Sequence, residues 1–182
     1  MRLGLRLATF YVPGFYKRGK LRELLGRVAR AFGANPPDAA GKSFAECLEL
    51  FARFTQAQVD RAYAAGAPVE EIQDRLRREG LEFAGGIRKA LGIESRAEVM
   101  KAARLLYRIL GIDFDGRPGG AITIRRCYFS GIYSERTCAV IGALDEGVLA
   151  GLSGGGRLAF SARITQGCGA CSAAFHFEDQ PS

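Results

Sequence analysis

The sequence predicts an α+β fold in which N-terminal helices are followed by a strand-helix-strand-strand unit. Three observations predict it. Up to residue 111 apolar residues recur at helical spacing between glycine and proline breaks; from Ala121 the chain becomes β-branched and aromatic; and Leu158 to Phe177 alternates with a period of two.

The first segment is basic. Residues 1–35 hold eight Lys or Arg (Arg2, Arg6, Lys17, Arg18, Lys20, Arg22, Arg27 and Arg30) against Glu23 alone, an excess equal to the whole net charge of +7. Phe10, Tyr11, Phe15 and Tyr16 lie among these cations. Two readings follow: a partly helical arm packed on its own protein or on a second subunit, or a surface that meets anionic lipid or nucleic acid through screened attraction. The run NPPDAAGK, residues 35–42, closes the arm with two prolines and a glycine. The chain thus divides into a basic arm and linker (1–42), a helical region (43–111) and an α+β unit that carries four cysteines (112–182), together expected to form one compact domain.

Helix starts are written in the middle region. Ser43 with Glu46, and Ser95 with Glu98, have capping-box spacing, in which the hydroxyl accepts from the third amide and the carboxylate reaches back. Phe44, Leu48, Phe51 and Phe54 give the first of these helices an apolar face, and Gly66 ends it. Pro68 suits the first position of a second helix that runs to Gly80. A shorter third spans Glu82 to Leu91. Val99, Ala103, Leu106 and Leu110 line the fourth, which Gly111 stops.

After a turn at Asp115 to Gly120, Ala121 to Phe129 reads as a strand. Ser134 then caps a helix with Cys138, Ile141, Leu144 or Asp145, Val148 and Leu152 along one side. Gly142, Gly147 and Gly151 cost that helix about 1 kcal/mol each against alanine, so their backbone is expected to press on a neighbour. Leu158, Phe160, Ala162 and Ile164 mark one closing strand, and Cys171, Ala173, Phe175 and Phe177 the next, joined by Thr165 to Ala170.

Composition narrows the function. Hydrophobic residues make up 48% of the 182 and charged residues 25%, and no apolar run approaches the roughly 18 residues of a membrane span. Arg2, Arg6, Lys17 and Arg18 interrupt the N-terminal apolar positions, so a secretory signal is not expected and a cytoplasmic location is. In such a compartment five cysteines read as thiols or metal ligands. Cys47, inside a helical stretch, is the one left for packing.

Cys168 and Cys171 form a C-x-x-C pair on a loop that enters a strand, a spacing that allows two thiolates to meet one ion. Cys138 sits at a helix start, where the positive end of the helix dipole favours a thiolate. Cys127, at a strand end, would make a fourth ligand, although it shares strand parity with Thr123 and Arg125 and reaches the Cys171 side only through a bulge. Four thiolates suit zinc, and equally an iron-sulfur cluster. Dithiol redox chemistry and inert packing stand as alternatives. Asp145 and Glu146 are the candidate acid-base pair. Arg163, and Arg125 with Arg126, are candidates to hold a carboxylate. His176, the single histidine, reads as a strand residue.

The order Cys127, Cys138, Gly167, Cys171, with CAVIGALDEGVLAGL in the helix and ITQGCGACSAAF in the last hairpin, resembles the 4-vinyl-reductase domain superfamily and the related family named for 2-amino-thiazoline-4-carboxylate hydrolase. The resemblance covers about residues 95–178. It implies a ligand-binding fold shared with vesicle-tethering transport subunits, a homodimer through the N-terminal helices, and an apolar pocket between helices and sheet for a small apolar or aromatic molecule. It further implies a structural zinc, two of whose ligand positions fall on Cys138 and Cys171. Where those relatives carry a further cysteine and a glutamate on the penultimate strand, this chain has Arg163 and Phe160. The expected function is a zinc-binding, small-molecule-binding module, and the alternative is a metal- or thiol-dependent hydrolase of a cyclic C–N bond.

Overall fold

A computed structural model describes residues 12–178 of the chain. Its helices are α1 (Gly14–Ala31), α2 (Phe44–Ala64), α3 (Val69–Leu91), α4 (Arg96–Ile109) and α5 (Glu135–Ser153), and its strands are β1 (Ile112–Gly116), β2 (Ala121–Cys127), β3 (Gly156–Ala162) and β4 (Cys171–Phe177). The strands form one antiparallel sheet in the order β1-β2-β4-β3. The α+β class is therefore as the sequence predicts.

Both capping boxes form: the Ser43 and Ser95 hydroxyls accept from the Glu46 and Glu98 amides at 3.3 Å. Two expectations are corrected. Gly80 does not end a helix, and α3 runs unbroken for 23 residues, with Pro68 as its cap rather than its first residue. The turn expected at Asp115 to Gly120 starts later, since Asp115 and Gly116 belong to β1 and pair with Thr123 and Ile122 in a β1–β2 hairpin.

Gly80 stays helical because its bare backbone is the contact. A Cβ there would stand 2.6 Å from the Leu144 carbonyl oxygen of α5, and one on Gly147 or Gly151 would collide with the Arg77 or Leu81 carbonyl oxygen of α3. The glycines of both helices let the two backbones touch, which offsets their poor helix propensity with close packing.

One face of the sheet is buried under helices. Ile112, Phe114, Ile122, Ile124, Cys171 and Phe175 are all buried, while Asp113, Arg125, Arg157, Ser172 and His176 point outward to solvent. Within the described part of the basic arm, α1 packs on its own protein. From α1, Leu21, Leu24, Leu25 and Val28 enter the core, Arg27 donates to Glu79 of α3 at 2.9 Å and to Glu82 at 3.2 Å, and Arg30 pairs with Glu79 at 2.9 Å. Arg2, Arg6, Phe10 and Tyr11 lie outside the described residues. Among the described residues no helix is long and apolar enough to cross a membrane.

Candidate functional site

Between the helices and the inner face of the sheet lies a cavity of about 350 Å³, within the size range of small-molecule sites. Every layer contributes to its wall. Leu21 and Leu24 come from α1, Phe44 and Phe51 from α2, Phe83 and Ile87 from α3, and Leu105, Leu106 and Tyr107 from α4. The sheet side supplies Ile112, Ile124, Phe160 and Cys171.

Helix α5 contributes the polar part. It begins where it does because the Ser134 hydroxyl accepts from the Thr137 amide at 3.2 Å, and the Ser134 amide is held by Gln56 at 2.8 Å. From that start, helical spacing turns Cys138, Ile141, Leu144, Asp145 and Val148 to the cavity. The next residue, Glu146, points to α3 and accepts from Arg77 at 3.0 Å. Of the two acid-base candidates, only Asp145 faces the cavity.

The Asp145 carboxylate accepts from the Tyr107 hydroxyl at 2.9 Å. Burial pushes its pKa up to about 6, against the opposing pull of the Tyr107 hydrogen bond and the Arg163 charge. The neighbouring groups respond in the same way. Burial raises the thiol of Cys127 to about 11 and that of Cys171 above its usual value, and it holds Tyr107 and Tyr133 well into the neutral form. Cys127 and Cys171 are therefore neutral thiols at neutral pH, a poor state for a nucleophile.

Arg163 completes this end. Its guanidinium lies 3.8 Å over the Phe160 ring, and Nη1 donates to the Cys138 carbonyl at 3.1 Å and approaches the Cys138 sulfur at 3.7 Å. Two hydroxyls in the wall have no partner: those of Tyr133 and Thr165 are buried without a hydrogen bond, and Tyr133 faces Thr55 without meeting hydrogen-bond geometry. Cys171 accepts from the Ile164 amide at 3.4 Å.

The metal-binding module expected from the sequence is corrected. Among the described residues no three His, Cys, Asp or Glu side chains are grouped so as to hold a metal ion. Cys127, Cys138 and Cys171 all border the cavity, but Cys168 is exposed on the loop before β4 and takes no part in its wall. Strand β4 begins at Cys171, which pairs with Ile124 and turns inward, so the C-x-x-C spacing spans an exposed loop position and a buried strand position. The parity problem at Cys127 has a different outcome. Between the pairs Phe114 with Ile124 and Ile112 with Cys127, β2 carries one residue more than β1, a bulge that leaves Arg125 and Arg126 exposed and returns Cys127 to the inner side. The zinc site and the metal-dependent form of the hydrolase fall together. Cys47 is buried in α2, as a packing residue would be.

Sequence reasoning overlooked Tyr107, Tyr133 and Thr165. Tyr107 lies beside the stripe read for α4, and only its hydroxyl's bond to Asp145 shows that it belongs to the polar end.

Asp145 makes a prediction about pH. Its folded value of about 6 lies above the ordinary 3.8, so the folded protein holds this proton more tightly than the unfolded chain. The resulting stability is fully present below pH 4 and lost as pH rises through 6, a loss on the order of 3 kcal/mol. Asp145→Asn keeps an acceptor for Tyr107 and carries no charge. Its urea-unfolding stability is expected to match the natural protein near pH 4 and exceed it above pH 6; equal curves across that range would show that Asp145 is not buried as described.

Comparison with known proteins adds no relative. No family model matches the chain, and neither the curated proteins nor the solved structures contain a match to it.

Proposed function

We propose that the protein is a binding module for a small, largely apolar molecule, held in the cavity between the helices and the sheet. The observation that carries this is a void of about 350 Å³ among side chains that otherwise pack as a core, lined by Phe, Leu and Ile and closed at one end by Asp145, Tyr107 and Arg163. A partly open, mostly apolar cavity of this size with a few convergent polar groups is the usual form of a small-molecule site. Support also comes from the resemblance of residues 95–178 to 4-vinyl-reductase domains, which implies a pocket in this place and a fold related to theirs and to vesicle-tethering subunits.

The test is thermal melting with N-phenyl-1-naphthylamine, a neutral aromatic probe. Its 17 non-hydrogen atoms correspond to a Kd of roughly 1–100 µM at ligand efficiencies near the drug-sized range. At 100 times Kd the folded state gains about 2.7 kcal/mol, or roughly 5–11 °C in melting temperature. An unchanged melting temperature at saturating probe would refute the proposal.

A further inference from the structure

Resting on the cavity being a ligand site, the geometry points to a carboxylic acid with an apolar aryl or alkyl body as the class of ligand, with Arg163 as the residue that selects it. The guanidinium is already oriented. The Phe160 ring supports one face at 3.8 Å, Nη1 is tied to the Cys138 carbonyl at 3.1 Å, and Gly142 leaves room for Nη2, which a Cβ there would approach to 2.8 Å. Among the described residues no carboxylate forms an ion pair with it. A planar cation fixed in this way suits a carboxylate, which accepts two parallel hydrogen bonds from a guanidinium.

The neighbouring groups are mostly donors. The buried hydroxyls of Tyr133 and Thr165 have no hydrogen-bond partner, and a buried donor left unpaired loses the water it gave up without compensation. A carboxylate offers about four acceptor sites, enough for the guanidinium and a hydroxyl together. Asp145 is the one acidic group in the wall and already accepts from Tyr107. With a pKa of about 6 it is about half protonated at pH 6, and in that form it neither repels an anion nor competes for Arg163. An amine would need Asp145 ionised and would leave the donors unpaired. The remaining wall is apolar, which fits the rest of such a molecule.

The experiment displaces N-phenyl-1-naphthylamine from the full chain at pH 6 with 2-naphthoate, 2-naphthylmethanol and 2-naphthylmethylamine, which share one ring system. The natural protein is expected to bind the acid at least ten-fold more tightly than the alcohol, and the amine least. In Arg163→Gln the acid-to-alcohol ratio should fall to about one. Arg163→Lys keeps the charge without the fork and should lower the ratio at least three-fold; it carries the test if the Gln variant does not fold. Equal binding of acid and alcohol by the natural protein, preference for the amine, or a ratio that survives both substitutions overturns the inference. That last result would move selection to the other cations of the wall, Lys17 and Lys20. Binding of the alcohol without preference overturns this inference alone, whereas failure of the probe and of all three compounds to bind overturns the ligand site itself.

Discussion

Ile141→Trp is expected to weaken binding of N-phenyl-1-naphthylamine about 100-fold, a loss of roughly 2.7 kcal/mol, while the protein still folds. Ile141 stands one turn from both Cys138 and Asp145 on the cavity side of α5, so a larger ring there enters the space the ligand needs. Placing a large residue in a filled core costs about 1–3 kcal/mol through strain, but here a void receives it. The melting temperature should therefore stay within a few degrees of the natural protein. The chain has no tryptophan, so the new indole reports its own surroundings, and its emission should be that of a buried ring. Leu81→Trp, at an exposed position of α3, is the control and should leave binding unchanged. Retained affinity in Ile141→Trp would place the bound probe somewhere other than this cavity.

The largest loss of stability is expected from Gly147→Leu, about 3 kcal/mol or more, seen as a fall of roughly 6–12 °C in melting temperature. The clash is with the Arg77 carbonyl of α3, part of a helix backbone that no rotamer change can move aside. Relieving it means separating α3 from α5, and α5 carries Cys138, Ile141 and Asp145 to the cavity. Binding should fall along with stability. Gly86→Ala is the contrasting case in the same pair of helices. Gly86 is exposed inside α3 and a Cβ there meets nothing within 4 Å, so the change should stabilise by about 0.5–1 kcal/mol. A Gly147→Leu protein that melts with the natural one would mean that the two helices do not cross in backbone contact.

These two glycine sites show what was legible in the sequence and what was not. Capping boxes and strand alternation are local, and Ser43, Ser95, Ser134 and the Cys171 to Phe177 alternation appear in the structure where they were read. Gly80 was misread as a helix end because periodicity along one helix does not reveal the backbone packed against it. The glycine-rich face of α5 could be read as a contact, but not its partner α3. Strand β1 escaped notice because IDFDG is short and carries two aspartates, which on their own favour turns.

The site was legible in part. Position on a helix face correctly suggested Asp145 near Cys138, and strand parity correctly demanded a bulge if Cys127 was to face inward. Spacing misled at Cys168, since three residues of separation do not say which side of a strand boundary each thiol occupies. The cavity itself is an absence of atoms among residues from five helices and the sheet, and no local pattern encodes it. The Tyr107 to Asp145 bond spans 38 residues and links α4 to α5, so it follows from the helix packing rather than from either segment.

The ligand site is tested most directly by following isoleucine methyl resonances while N-phenyl-1-naphthylamine is titrated into protein labelled at those methyls. Ile87, Ile109, Ile112, Ile124, Ile141 and Ile164 line the cavity, whereas Ile72, Ile93, Ile122 and Ile132 do not. Ring-current shifts that saturate at one probe per chain and concentrate on the first six are expected. Shifts confined to the other four, or none at all, would contradict a ligand site between the helices and the sheet.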